Sequence, residues 1–488
     1  MRGRFETEDI LLFIFVCVFV AVSFGMGYVL YSKPSYPPDK TIKVLCASDP
    51  SELKLQTALD EAYREIHPDM HLEIIAFPWE NIWQKLEFLM VANIPPDVAG
   101  MEQPKLPRFI HLGVVEPLDD WIKNDPDLDT NDLFIQCMNE GNWDGKQYAL
   151  PTNFSPVCLW YNKTLFDREG VAYPNRDWTR EDLVAAGKKL TKDFNGDGMA
   201  DQYGFYTNNN HWNRYPAWIW MTGGEFMSED WRTSTFDSPQ VIEGIRWLAS
   251  LSLEKGIMPK MSFLSNMSST NLFLSGQLAM MAETRYFNRN YYLERNADKI
   301  KDFTFDVSEL PHDIKRASCF VAGEVIMPSI LPPERKKMAW DFMKFQASRE
   351  GQAVFAAENG GLPARIETAR EVVTRPGRKI ENERAFMDAI EYARYFYWPF
   401  PADEAFSEAR SYLYGVWYGR LDAADVCKKA AQDINSAVSF FYERNPDAHL
   451  PMPTKWVPFD KAAPAPAAGQ DAPAQPDSSD TGADQPNP

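Results

Sequence analysis

Basic side chains are scarce in this 488-residue chain: 50 Lys and Arg stand against 69 Asp and Glu, a formal charge of −19. A surface of that sign repels phosphate backbones and no local basic patch offsets it, so nucleic acid is excluded as a partner and the acidity serves solubility. Cysteine is sparse too. The six, at positions 17, 46, 137, 158, 319 and 427, never form a CxxC pair, which argues against a zinc or redox motif and assigns no disulfide. They are expected as small hydrophobes in strands. No HExxH, GxSxG or P-loop pattern occurs, so none of the common hydrolase or nucleotide signatures is available.

Long apolar runs are limited to one. Residues 10–31 form 22 positions without a charge, about 33 Å as a helix, which matches a bilayer core. The expectation is a retained membrane anchor over 1–32. A cleaved signal ending near Ala21-Val22-Ser23 is the alternative, and either way the remainder is exported. Cys17 follows Phe15 and Val16, residues too large for a lipoprotein processing site. Residues 33–40 are a proline-rich spacer. At the other end, 461–488 is rich in Pro, Ala and Asp, a solvated tail that buries nothing.

Between these ends the composition supports real cores, with 45% hydrophobic residues and 14% aromatic, 15 of them Trp. Short apolar strands are expected at 42–47, 72–77 and 97–101. They alternate with helices that start at Asp49-Pro50, at Trp79 and at Lys105. This βαβαβ order predicts an open sheet with parallel strands and right-handed crossovers. Ligands of such sheets bind beyond the carboxyl ends of the strands. Those ends carry Asp49, Trp79 and the pair Glu102-Gln103, which are therefore candidate ligand contacts.

The stretch 145–166, GKQYALPTNFSPVCLWYNKTLF, reads as two strands separated by Pro151 and Ser155-Pro156, with Thr152, Asn153 and Phe154 in an irregular link. Residues 193–201, DFNGDGMAD, place oxygen side chains of Asp193, Asn195, Asp197 and Asp201 at calcium-loop positions 1, 3, 5 and 9, glycine at 6 and the Met199 carbonyl at 7. Gly204 replaces the usual bidentate Glu at position 12, so a structural Ca2+ of modest affinity is expected there, with no other cofactor. Trp218 and Trp220 lie in a short helix ending at a Gly pair, and the strand 278–283 runs into Thr284-Arg285-Tyr286-Phe287.

The order DVAGM, GVVEPLDDWI, GKQYALPTNFSPVCLWYNKTLF, FLSGQLAMMAETRYF and AENGGLPARIE resembles the bacterial extracellular solute-binding proteins of family 1, the sugar-binding components of ABC importers. The resemblance covers roughly 41–440. It implies an α/β, two-lobed periplasmic-binding-protein-like fold of type II, each lobe a mixed sheet flanked by helices, joined by a three-crossing hinge. YALPTNF, MAETRYF and FVAGEVIM match the crossings. Lobe 1 is then 41–151 plus 283–322, and lobe 2 is 152–282 plus 323–460. The implied ligand contacts are Asp49, Glu102, Gln103, Asn153, Phe154, Trp218, Arg285, Tyr286 and Glu324, with Trp398 of YFYW as a stacking ring; Trp79 at its strand end and Trp220 beside Trp218 are further candidates read from the residues themselves. The implied function is capture of a carbohydrate, most simply an oligosaccharide, and its delivery to permease subunits on the periplasmic side of the inner membrane. A tethered sugar sensor and a two-carboxylate glycoside hydrolase are the alternatives.

Overall fold

The computed structural model describes residues 37–264, 268–288, 303–358, 360–377 and 380–455. The anchor expected over 10–31 and the tail expected over 461–488 lie outside them. Among the described residues no helix is long and apolar enough to cross a membrane.

The first strands and helices follow the sequence reading closely. β1 (Thr41–Ala47) leads to α1 (Pro50–Ile66), β2 (His71–Phe77), α2 (Ile82–Val91), β3 (Val98–Met101) and α3 (Leu106–His111). β1 pairs in parallel with β2 on one side and β3 on the other. Side chains alternate across this sheet. Val44 and Val98 meet Leu55, Leu59 and Tyr63 of α1 on one face, whereas Leu45 and Ala99 meet Ile82 and Leu86 of α2 on the other.

After α4 (Ile135–Glu140) the chain enters β4 (Leu150–Asn162), one buried strand of 13 residues. The expected break at Pro151 and Pro156 does not occur. A proline costs a strand one ladder hydrogen bond, and here the register shifts between Pro151 and Asn153 to absorb it, while Pro156 sits where one set of pairings ends and the next begins. From Val157 onward β4 belongs to a second lobe, with Leu159 and Tyr161 in one core and Cys158 and Trp160 in the opposite one.

That lobe adds α5 (Arg180–Leu190), α6 (Tyr215–Trp220) and α7 (Pro239–Leu253), then β5 (Met280–Thr284) and β6 (Phe305–Ser308), both antiparallel to the second half of β4. β7 (Ser318–Ile326) returns the chain to lobe 1: it pairs with the first half of β4 and its far end pairs with β3. α8 (Pro333–Ala347) and α9 (Arg349–Glu358) cover the lobe 1 core through Phe342, Phe345 and Phe355. β8 (Leu362–Pro363) crosses back beside Phe154 and Asn153, β9 (Ala393–Arg394) pairs with the start of β7, and α10 (Asp403–Trp417) and α11 (Ala423–Arg444) complete lobe 2.

Two placements therefore differ from the sequence reading. Residues 305–319 sit with lobe 2 and 324–358 with lobe 1, the reverse of the expected partition at 322. The crossings are β4, β7 and β8, and MAETRYF is the end of a lobe 2 strand instead of a crossing. The five described cysteines are free and buried, in strands and helices.

Phe154 tests the core. It is 0% exposed, stacks on Phe320 at 5.7 Å and meets Phe134 edge-on at 5.0 Å. Phe154→Ala should lower unfolding free energy by about 3–5 kcal/mol in urea denaturation; a loss below about 1 kcal/mol would remove the ring from the core.

Candidate functional site

The carboxyl ends of β1, β2 and β3 open on one cavity of ≈ 350 Å³. Asp49 stands beyond β1 and caps α1, its carboxylate accepting the Glu52 backbone N–H at 3.1 Å. Trp79, 52% exposed beyond β2, meets Trp83 edge-on at 5.6 Å. Glu102 and Gln103 follow β3, and all five line the cavity. The opposite wall is Thr152 and Asn153 of β4 with Gly323 and Glu324 of β7. Asn153 Nδ2 donates to Thr152 Oγ1 at 3.0 Å, and the Tyr286 hydroxyl donates to Asn153 Oδ1. Two glycines permit that approach: a Cβ on Gly323 would lie 2.6 Å from Asn153 Nδ2, and one on Gly361 2.8 Å from the Tyr286 ring.

Several polar groups here are buried without a hydrogen-bond partner among the described residues. Gln103 Nε2 donates to the Ala322 carbonyl at 2.9 Å, but its Oε1 accepts nothing. Both oxygens of Glu324, Gln56 Oε1 and Gln346 Nε2 are in the same condition. Such groups are rare in native interiors, and each costs about 1–3 kcal/mol of desolvation unless something fills the need. The carboxyls show the strain. Burial pushes Glu324 up to about 8, and the neighbouring Gln103 amide, committed to Ala322, lowers it only in part. Burial likewise lifts Glu102 to about 7 against the pull of Lys105 and the Trp83 indole.

Glu102 also lines a second cavity, ≈ 190 Å³, with Lys105 on the lobe 1 side and Trp212, Tyr215, Trp398 and Arg410 on the lobe 2 side. Lys105 reaches across to Asp403 at 2.9 Å. The two cavities share Glu102 as a wall.

Of the expected contacts, Asp49, Trp79, Glu102, Gln103, Asn153, Tyr286 and Glu324 line the first cavity, and Trp398 lines the second. Four are corrected. Phe154 is core, because β4 alternates and its neighbour Asn153 takes the cavity face. Trp218 is fully buried, its indole donating to Thr207 Oγ1 at 3.3 Å and its ring stacked on Trp247. Trp220, held under the Arg394 guanidinium at 4.5 Å, lines a different cavity with Trp231 and Tyr397. Arg285 is 2% exposed and bonded to Glu383 and to the carbonyls of Gly360 and Gly361. Sequence reasoning missed Gln56, Trp83, Thr152, Lys105 and Trp212. Trp83 lies within α2 and Trp212 follows no strand end, so neither carries the strand-end signal.

In the loop at 193–201 the expected donor oxygens accept the loop's own N–H groups. Asp193 takes those of Gly196 and Gly198 at 2.7 and 2.9 Å, Asn195 takes Asp197, Asp197 takes Met199, and Asp201 takes Phe194. Among the described residues no three His, Cys, Asp or Glu side chains gather as a metal donor set.

Residues 49–353 match the profile described as bacterial extracellular solute-binding protein. The chain belongs to that family. Among relatives of this solute-binding protein, a binding protein of Brucella abortus is 25% identical over 64% of this chain and 72% of its own. The maltotriose-binding protein of Pyrococcus abyssi is 24% identical over 66% of each. In structure the chain resembles an ABC substrate-binding protein of Listeria monocytogenes in complex with cycloalternan, at TM-score 0.71 and 24% identity over 82% of this chain and 99% of that one. The sugar-binding protein MalE of Xanthomonas citri gives 0.70 at 17% identity, covering 84% and 100%. These likenesses bear out the two-lobed α/β fold.

The buried acid makes a measurable prediction. Glu324 has its folded pKa near 8 against an ordinary 4.5, so between these values the native state holds a proton that the unfolded chain has lost. Its contribution to stability therefore falls as pH rises through that window and levels off above it. Glu140 is raised as well, by burial first; the Tyr397 hydroxyl lowers it in part and the Glu324 charge raises it further. Glu324→Gln should gain stability over the parent as pH rises, seen as a larger difference in urea denaturation near pH 8 than near pH 4.5. A difference that does not change with pH would mean that no desolvated charge sits there.

Proposed function

We propose that this solute-binding protein captures a carbohydrate between its lobes on the extracytoplasmic side and delivers it to the permease subunits of an ABC importer. The observation that carries this reading is the set of buried, partnerless oxygens and nitrogens of Gln56, Gln103, Glu324 and Gln346 around a cavity rimmed by Trp79, Trp83 and Tyr286. A pyranose offers hydroxyls around its edge and C–H groups on its faces, so it calls for carboxylates and amides beside flat rings. The second cavity, with Trp212, Tyr215 and Trp398, extends the site toward lobe 2 and favours an oligosaccharide. Relatives named for maltotriose and for diacetylchitobiose support the class. The reading needs no catalysis, and it keeps residues 10–31 as an uncleaved anchor in the inner membrane.

Titration calorimetry against an oligosaccharide panel, with product analysis, tests it. Binding without turnover is expected, and Glu102→Gln and Trp212→Ala should each weaken it by about 1–3 kcal/mol while leaving the melting temperature in place. Sugar cleavage, or unchanged affinity in both variants, would sink the proposal.

A structural calcium ion on the loop at 193–201 belongs to the proposal on its oxygen order alone, Asp193, Asn195, Asp197, the Met199 carbonyl and Asp201. Excess chelator should then lower the melting temperature; an unmoved transition removes the ion.

A further inference from the structure

Six large apolar side chains are exposed where the helices of lobe 1 finish and its strands begin, opposite the ligand cavity. Val91 is 83% exposed, Phe88 63%, Ile94 61%, Ile66 55%, Leu112 48% and Ile330 38%. Phe88 and Val91 close α2, Ile66 closes α1, Leu112 caps α3, and Ile330 follows β7, which runs antiparallel to β3 and so ends at the same edge.

All six lie at the same edge of the lobe 1 sheet. A groove of ≈ 440 Å³ at this edge is lined by Ile330, Pro38 and Pro95 and by the charged Lys43, Glu73 and Arg335. Ser329 donates to the carbonyls of Gly113 at 2.7 Å and Val114 at 2.9 Å, which ties the turn of Leu112 to the loop of Ile330. Lys40 bonds Asp69 at 3.0 Å, which ties the turn after Ile66 to the point where the chain enters the lobe. Charges nearby are neutralised in pairs: Lys40 with Asp69, Arg335 with Asp97, Arg108 with Glu87. Lys43 and Glu73, one of each sign, also line the groove, so on a chain of formal charge −19 this face is locally balanced.

We infer that this end of lobe 1 docks on the lipid bilayer that holds the chain, its apolar side chains entering the interface. The choice of occupant rests on where the chain leads. Pro38 lines the groove, and the six residues 32–37 before it reach at most about 20 Å back to the uncharged run at 10–31. A run long enough to span a bilayer therefore places the patch beside the interface, where exposed Val, Ile, Leu and Phe are buried favourably. Since the paired charges leave no net attraction to anionic lipid, a zwitterionic surface suffices. At rest the ligand cavity then faces away from the membrane, and delivery requires the lobes to tilt about the spacer. The inference rests on the anchor reading above.

The test uses the full chain with Cys17→Ala, reconstituted in phosphatidylcholine vesicles with and without brominated lipid. The five described cysteines are buried, so a fluorophore reports an introduced one. Val91→Cys and Ile94→Cys are compared with Ile314→Cys, 76% exposed on lobe 2. Quenching by brominated lipid at 91 and 94 should exceed that at 314 by roughly twofold or more, and Ile94→Glu should return the probe at 91 to the control level. Equal quenching at all three sites, with the protein in the vesicle fraction, would overturn the docking and leave the anchor standing. Protein absent from that fraction would overturn the anchor and the docking with it. A signal at 91 that follows protein concentration instead of bromine would assign the patch to a second copy of the chain and overturn the lipid.

Discussion

One strand belongs to both lobes. All 13 residues of β4 are buried, and its backbone is paired with β7 and β8 in its first half and with β5 and β6 in its second. Unpairing it would leave buried N–H and C=O groups without partners, so the lobes cannot part along its length. Bending is left to the two places where pairing is already irregular: the shift between Pro151 and Asn153, and the exchange of neighbours between Pro156 and Val157. The first of these lies on the cavity floor. Thr152 and Asn153 are therefore both hinge and lining, and ligand contact there is coupled to lobe angle by construction.

The segment bearing Tyr286 is fixed to that hinge by Arg285. Its backbone N–H donates to Ser155 Oγ at 2.7 Å, its guanidinium donates to Glu383 at 2.6 and 2.9 Å, and Nη1 donates to the carbonyls of Gly360 and Gly361 at 2.6 and 3.0 Å. Both members of the ion pair are almost fully buried. Such a pair repays its desolvation only when its geometry is complete, and losing one partner strands the other, so it is weak as a source of stability and strong as a positioning device. It brings β4, the end of β5 and the turn before β8 to one point. A polar residue at a strand end was read as a ligand contact, and it is instead the latch that orients the contact beside it.

This explains which parts were legible beforehand. The βαβαβ half of lobe 1 could be read because capping at Asp49, apolar periodicity and strand alternation all agree locally, and the three strand ends then marked Asp49, Trp79, Glu102 and Gln103. β4 was misread because its two prolines are tolerated only through partners 160 and more residues away, which no local pattern reveals. The same holds for the crossings: β8 is two residues long and shows no periodicity, whereas MAETRYF ends in the polar and aromatic residues that mimic one. Phe154 and Trp218 failed for a simpler reason. A ring next to a polar residue is as compatible with a core as with a sugar, and only the strand's parity, or the stacking of Trp218 on Trp247, decides.

The distribution of chemistry between the lobes sets how binding can drive closure. The partnerless polar groups, Gln56, Gln103, Glu324 and Gln346, are all on lobe 1 or the strands shared with it, whereas the rings of Trp212, Tyr215 and Trp398 belong to lobe 2. A ligand on lobe 1 alone meets these groups and the Trp79 and Trp83 rings; one that spans both lobes gains the lobe 2 rings as well. Only the second arrangement distinguishes the closed form from the open, and a ligand shifts that equilibrium by its difference in affinity alone. The direct bridge already present, Lys105 to Asp403, is about one-third exposed at each end and adds little by itself. Closure is thus left under ligand control, with Glu102, shared by both cavities and lifted toward neutrality by burial, standing where the two halves of the interaction meet.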